Sequence, residues 1–139
     1  MQEYLFSDIK IGLKHSFMAE VDEARMQKFL EISGDNNPMH INSEYAKSRG
    51  MSDRVVYGML TSSFYSTLVG VYIPGKFALL HSVDIQFSKP VFIGDKLVII
   101  GEVSEINEMF RQIEVKAYIL NQNGEKISRA KIKIGLVDE

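Results

Sequence analysis

No residue between Val55 and Gly75 carries a charge, and no other interval constrains the fold as much. Within it, Met59 to Tyr72 has helical spacing: Met59, Leu60, Phe64, Leu68 and Val71 are apolar, while Ser62, Ser63, Ser66, Thr67 and Gly70 are small. A helix without a charged face is normally buried, so the rest of the chain must supply a surface that wraps it. Pro74 and Gly75 end the run.

The following residues can form that surface. From Phe77 the period changes to two, with Phe77, Leu79, Val83, Ile85 and Phe87 alternating with Ser82, Asp84, Gln86 and Ser88. Lys96 to Ile106, Phe110 to Leu120 and Lys126 to Val137 are further strand-length runs, the last two joined through an Asn-Gly step between Asn121 and Glu125. In the last run Ala130, Ile132, Ile134 and Leu136 share one face, and Arg129, Lys131 and Lys133 the other. Upstream, Ser16 to Val21 can be a strand, and Asp22 to Ser33 a helix capped by Asp22 and stopped by Gly34. Asp35 to Asn42 (DNNPMHIN) has no periodicity and is expected to be a loop, after which Asn42 caps a short helix through Lys47 or Ser48. Residues 1–139 thus read as one α+β domain, an antiparallel sheet curled around a central helix.

Composition narrows the chemistry. The sequence lacks cysteine, which excludes disulfides, Cys-ligated zinc, iron–sulfur clusters and a thiol nucleophile. Sixteen basic against eighteen acidic residues leave a net charge of −2 with no long basic block, which argues against nucleic acid as a partner. No interval has the length and apolarity of a membrane span or a signal segment, so a cytoplasmic protein is expected. His15 and His81 have no metal-ligand spacing with another donor, and no metal is expected; His81 lies on the apolar register and reads as a core imidazole.

In GDNNPMH, Asp35 and His40 stand on either side of Asn37-Pro38. Proline fixes its own φ and restricts the residue before it, so a carboxylate and an imidazole here keep a constant separation. Such a pair can act on one water molecule, one partner withdrawing a proton while the other supplies one. The competing structural account is an Asp bonded to its own turn beside a solvated His.

GDNNPMH, then VYGMLTSS from Val55 to Ser63, then FSKPVFIGD from Phe87 to Asp95, in this order and spacing, resemble the (R)-specific enoyl-CoA hydratases of the MaoC-like, hot-dog fold group. The resemblance runs from about Phe17 to Val137. It implies reversible hydration of a trans-2-enoyl thioester to an (R)-3-hydroxyacyl thioester, with Asp35 and His40 as catalytic pair, supported by Asn37 and Pro38. It also implies that the amide of Gly58, opening the central helix, polarises the thioester carbonyl, as a donor at a helix N-terminus can. Many family members have His before that glycine; here it is Tyr57, which donates a hydrogen bond but is no base at neutral pH. Ser66 aligns with a family serine and is a candidate helper.

The coenzyme A or acyl carrier thioester is then part of the substrate, and no separate cofactor is expected. The acyl tail is expected along the helix against Phe64 and Leu68, with Phe64, Tyr65 and Tyr72 favouring a short or medium chain. Lys47, Arg49, Arg54 and Lys76 flank the loop and helix end, where coenzyme A phosphates or an acyl carrier protein could approach. A sheet wrapped round one helix leaves open edges, so a homodimer or higher homo-oligomer is expected. The alternatives are a hot-dog thioesterase, which would not need the Asn-Pro turn and its His together, and a non-catalytic acyl-thioester-binding subunit.

Overall fold

The computed structural model describes residues 1–139. A short 3₁₀ turn at Phe6–Asp8 precedes strand β1 (Lys14–Glu20), which begins two residues earlier than the sequence suggests. Helix α1 (Glu23–Ser33) follows, with the Asp22 carboxylate accepting from the Arg25 amide and Gly34 closing it in the left-handed region at φ 72°. Helices α2 (Pro38–Ile41) and α3 (Ser43–Ser48) come next, then α4 (Gly58–Thr67), which widens into one π-type turn at Leu68–Tyr72. Strands β2 (Ala78–Phe87), β3 (Lys96–Asn107), β4 (Gln112–Leu120) and β5 (Lys126–Leu136) complete the chain.

The segment read as a loop therefore contains one helical turn. Asn37 accepts from the Met39 amide and Pro38 sits at the first helical position, where its missing N–H costs nothing. One turn is too short to leave a periodic signal.

All strand pairs are antiparallel, in the order β1-β3-β4-β5-β2, so β1 and β2 are the edges. Inward rows of the central strands are buried: Leu97, Ile99 and Val103 on β3, Ile113, Val115, Ala117 and Ile119 on β4, and Ala130, Ile132, Ile134 and Leu136 on β5. Tyr65, Leu68 and Val69 from the central helix complete the core. At Gly101 the sheet gives way to the helix, because a Cβ there would lie 2.6 Å from Leu68 Cδ2.

Beneath the helix the Tyr65 hydroxyl shares a 2.8 Å hydrogen bond with Ser128 Oγ. Burial pushes the Tyr65 phenol up to about 12, from an ordinary value of 10.0. The folded state thus keeps a proton that the unfolded chain releases near pH 10. This contribution to stability is whole below pH 10 and declines as the pH rises toward 12. Tyr65→Phe should remove that decline and cost about 1 kcal/mol at neutral pH by orphaning Ser128; urea unfolding at pH 8 and pH 11 measures both effects.

Two sequence expectations change at β2. The register slips between Leu80 and Ser82, so the inward row is Ala78, Leu80, Val83, Ile85 and Phe87, and Leu79 turns outward. His81 sits at the slip, exposed, with Nδ1 2.8 Å from the Gln112 amide nitrogen, and is not a core imidazole. The second change concerns burial. Leu80, Val83 and Phe87 remain 47, 39 and 54% exposed, and Met59 on the facing side of α4 is 64% exposed. The charge-free helix is therefore open along one stripe, where the sheet ends at β2.

Candidate active site

Asp35 and His40 converge. Asp35 lies just beyond α1 in a turn tied by local hydrogen bonds: its amide donates to Ser33 Oγ (3.1 Å) and its Oδ1 accepts from the Asn37 amide (3.1 Å). His40 stands on α2, and its Nε2 lies 4.0 Å from Asp35 Oδ2. The His40 side chain is 18% exposed and that of Asp35 48%, so the gap between them is open to water. Asn37 and Pro38 shape this turn rather than entering the gap, Asn37 as the cap of α2 and Pro38 as its first residue.

The imidazole tautomer follows from its neighbours. His40 Nδ1 is 2.7 Å from the Val55 carbonyl oxygen. A carbonyl only accepts, so Nδ1 carries the hydrogen and Nε2 of the neutral ring presents its lone pair to the gap. The carboxylate is also an acceptor. One water molecule can donate one hydrogen to each.

Gly58 brings a donor to the cleft that His40 lines. It is the first residue of α4, and its N–H has no acceptor within the chain, as expected at a helix start. Gly58 and His40 line one cleft of about 320 Å³, walled by Val91, Ile127 and the Phe87 ring. A Cβ at position 58 would lie 3.0 Å from Phe87 Cε1, so only glycine lets the ring approach this closely. Of the pair, His40 lines this cleft; three larger depressions, about 540 Å³ beside β1, about 550 Å³ on the outer sheet face and about 570 Å³ where β3 turns into β4, contain neither Asp35 nor His40.

Tyr57 joins these parts. It is 2% exposed, its hydroxyl donates to the Asp35 carbonyl (2.8 Å), and its ring stacks on His40 with centroids 4.2 Å apart. Burial first, and then the negative charge of Asp35, push its phenol above the ordinary value.

Other expected site residues lie elsewhere. Leu68 is fully buried against the sheet at Gly101, so it belongs to the core rather than to the cleft lined by His40 and Gly58. Phe64 borders the separate depression beside β1, under the Arg25 guanidinium. Ser66 is exposed in a groove of about 290 Å³ between α4 and β2, outside the cleft lined by His40 and Gly58. The four cations do not form one cluster: Arg54 pairs with Glu23, Lys76 with Glu3 at 3.2 Å, and Arg49 lies over the Tyr45 ring. His15 has a partner after all, the Tyr4 hydroxyl at 2.9 Å.

Sequence reasoning missed the Val55 carbonyl and the Phe87 ring. The first is a backbone atom and leaves no mark in residue identity, while the second read only as one member of a strand alternation.

Comparison with known proteins agrees with this architecture. An (R)-specific enoyl-CoA hydratase from Rhodospirillum rubrum is 35% identical over 92 residues, covering 66% of this chain and 64% of that protein, so the match spans somewhat less than two thirds of the relative. The structure of an unliganded (R)-hydratase from Pseudomonas aeruginosa superposes with a TM-score of 0.89 at 25% identity, covering 96% of this chain and 86% of the other. The ChsH1-ChsH2 complex from Mycobacterium tuberculosis contains a chain with the same fold (TM-score 0.82, 20% identity, covering 91% and 98%). The sheet wrapped around a helix is the hot-dog fold. Residues 7–124 match the family model described as the MaoC like domain, and the chain belongs to that family.

Proposed function

We propose that the protein catalyses reversible hydration of a trans-2-enoyl thioester, giving a 3-hydroxyacyl thioester of (R) configuration. The single observation that carries this is the 4.0 Å gap between Asp35 Oδ2 and His40 Nε2, with the imidazole tautomer fixed by Val55 and with His40 lining one cleft together with Gly58. The Asp35 carboxylate and His40 Nε2 hold one water by its two hydrogens. Its oxygen, with one hydrogen, bonds to C3 as the C2–C3 π pair shifts toward the thioester. Its other proton passes to the pair, and one proton leaves the pair for C2. The pair ends as it began, and dehydration retraces the same steps. Since Nδ1 is committed to Val55, all proton exchange at His40 runs through Nε2.

Negative charge that develops on the thioester oxygen is met by the Gly58 N–H and the positive end of α4. The acyl chain enters between Phe87, Val91 and Ile127, and the small size of the cleft favours a short tail. Mixing the protein with crotonyl-CoA tests this directly: the conjugated enoyl absorbance should fade with no release of thiol. Thiol release would instead indicate a thioesterase, and no change in either signal would leave only acyl-thioester binding.

The working form in this proposal is a homodimer built on the β2 edge. The unpaired backbone of β2 and the exposed apolar row Leu80, Val83 and Phe87 lie beside Met59, and a second copy would cover them together with Ser66. Val83→Lys should shift the protein toward a monomer in sedimentation velocity, whereas an unchanged sedimentation coefficient would refute this interface.

A further inference from the structure

Asp35 lies between α1 and α2, outside any helix or strand. Its amide and its carboxylate are held only by Ser33 and Asn37, both within two residues, so these bonds tie the turn to itself and not to the rest of the protein. The Asp35 carbonyl has one partner, the hydroxyl of Tyr57, 22 residues away in sequence. That 2.8 Å bond is the only hydrogen bond joining Asp35 to the element that carries Gly58.

The same side chain meets the other half of the pair. Its ring faces the imidazole of His40, with centroids 4.2 Å apart and planes inclined by 29°. Nδ1 of His40 is held at one edge by Val55, while the Tyr57 face opposes a swing of the whole ring. Phe29 of α1 also packs edge-to-face with Tyr57, centroids 4.8 Å apart and planes at 83°, and the phenol is buried. Tyr57 is also the residue before Gly58, the cap position of α4. One buried residue therefore touches Asp35, His40 and the start of the helix whose first amide lines the cleft.

We propose that Tyr57 is the positioning residue of this site, holding the separation between Asp35 and His40 through its hydroxyl on one and its ring on the other. The inference rests on the reading of the pair given above. Tyr57 exchanges no proton with substrate. A tyrosine phenol is protonated throughout the neutral range, and burial pushes it further in that direction, so it donates to the Asp35 carbonyl there. It acts on geometry, and a displacement of about 1 Å at a reacting group can cost on the order of a hundredfold in rate.

Two variants separate its contacts. Tyr57→Phe keeps the ring and removes the hydroxyl, whereas Tyr57→Leu removes both. With crotonyl-CoA, Tyr57→Phe should lower kcat about tenfold with KM nearly unchanged, the size expected for one hydrogen bond. Tyr57→Leu should lower kcat by about a hundredfold. In ¹⁵N NMR at neutral pH, the His40 imidazole should show the Nδ1–H form in the wild type and in Tyr57→Phe, and a tautomer average in Tyr57→Leu. Wild-type kcat in both variants would overturn the proposal, as would an unchanged His40 signal in a folded Tyr57→Leu. If Tyr57→Leu fails to fold, the kcat and KM of the near-isosteric Tyr57→Phe decide alone. If the wild type does not hydrate crotonyl-CoA, the hydratase assignment falls, and the NMR comparison still judges the clamp by itself.

Discussion

Asp35→Asn and His40→Gln should each lower enoyl thioester hydration by about two to four powers of ten, the range expected for loss of a positioned acid–base group. Asparagine retains an oxygen to accept from the Asn37 amide, so the turn survives while the charge and the proton-accepting capacity are lost. Glutamine can still reach the Val55 carbonyl but cannot carry a proton between two states. Neither side chain is part of the buried core, so the melting temperature of both variants should stay close to that of the wild type. The double variant should be scarcely slower than either single one, because the two groups act on the same water. Decay of the enoyl absorbance, with a thermal melt on the same samples, measures all of this. Full activity in both single variants would end the assignment of the pair.

Leu68→Ala should have the largest effect on stability, a loss of about 2–5 kcal/mol from the methylenes removed and the cavity left behind. Leu68 is 0% exposed, on the turn that follows α4, and presses on Gly101 of β3. The opposite change, Gly101→Ala, places a Cβ 2.6 Å from Leu68 Cδ2 and is destabilising for the converse reason, overpacking. Combined, the two substitutions relieve each other, and the double variant should be more stable than the sum of the single losses. Urea unfolding of the four proteins closes the cycle. Below its melting range Leu68→Ala should hydrate substrate with unchanged chain-length preference, since Leu68 lies outside the cleft. An altered preference with unchanged stability would return Leu68 to the acyl pocket that its place on the helix first suggested.

Much of the fold is legible in local pattern. Asp22 and Gly34 bracket α1, the alternation on β5 separates Ala130, Ile132, Ile134 and Leu136 from Arg129, Lys131 and Lys133, and the charge-free run after Val55 becomes the helix under the sheet. Each of these signals repeats with the period of its element, and burial acts on them residue by residue. Phase is less legible. A single extra residue near His81 moves Leu80 inward and Leu79 outward, and nothing in a strand's alternation announces such a slip.

For the site, residue order supplied the pair but not its setting. Asp35 and His40 are five positions apart around a proline, and that stiffness is a local property the sequence itself determines. The tautomer of His40 depends on a backbone oxygen 15 residues away, the clamp on Asp35 depends on a tyrosine 22 residues away, and the exposed stripe on α4 depends on the sheet ending at β2. Local order fixes which groups are available, because backbone preference and hydrophobic period act over a few residues. Only the tertiary structure decides what each group faces, because partners distant in sequence are brought together by packing of the whole domain.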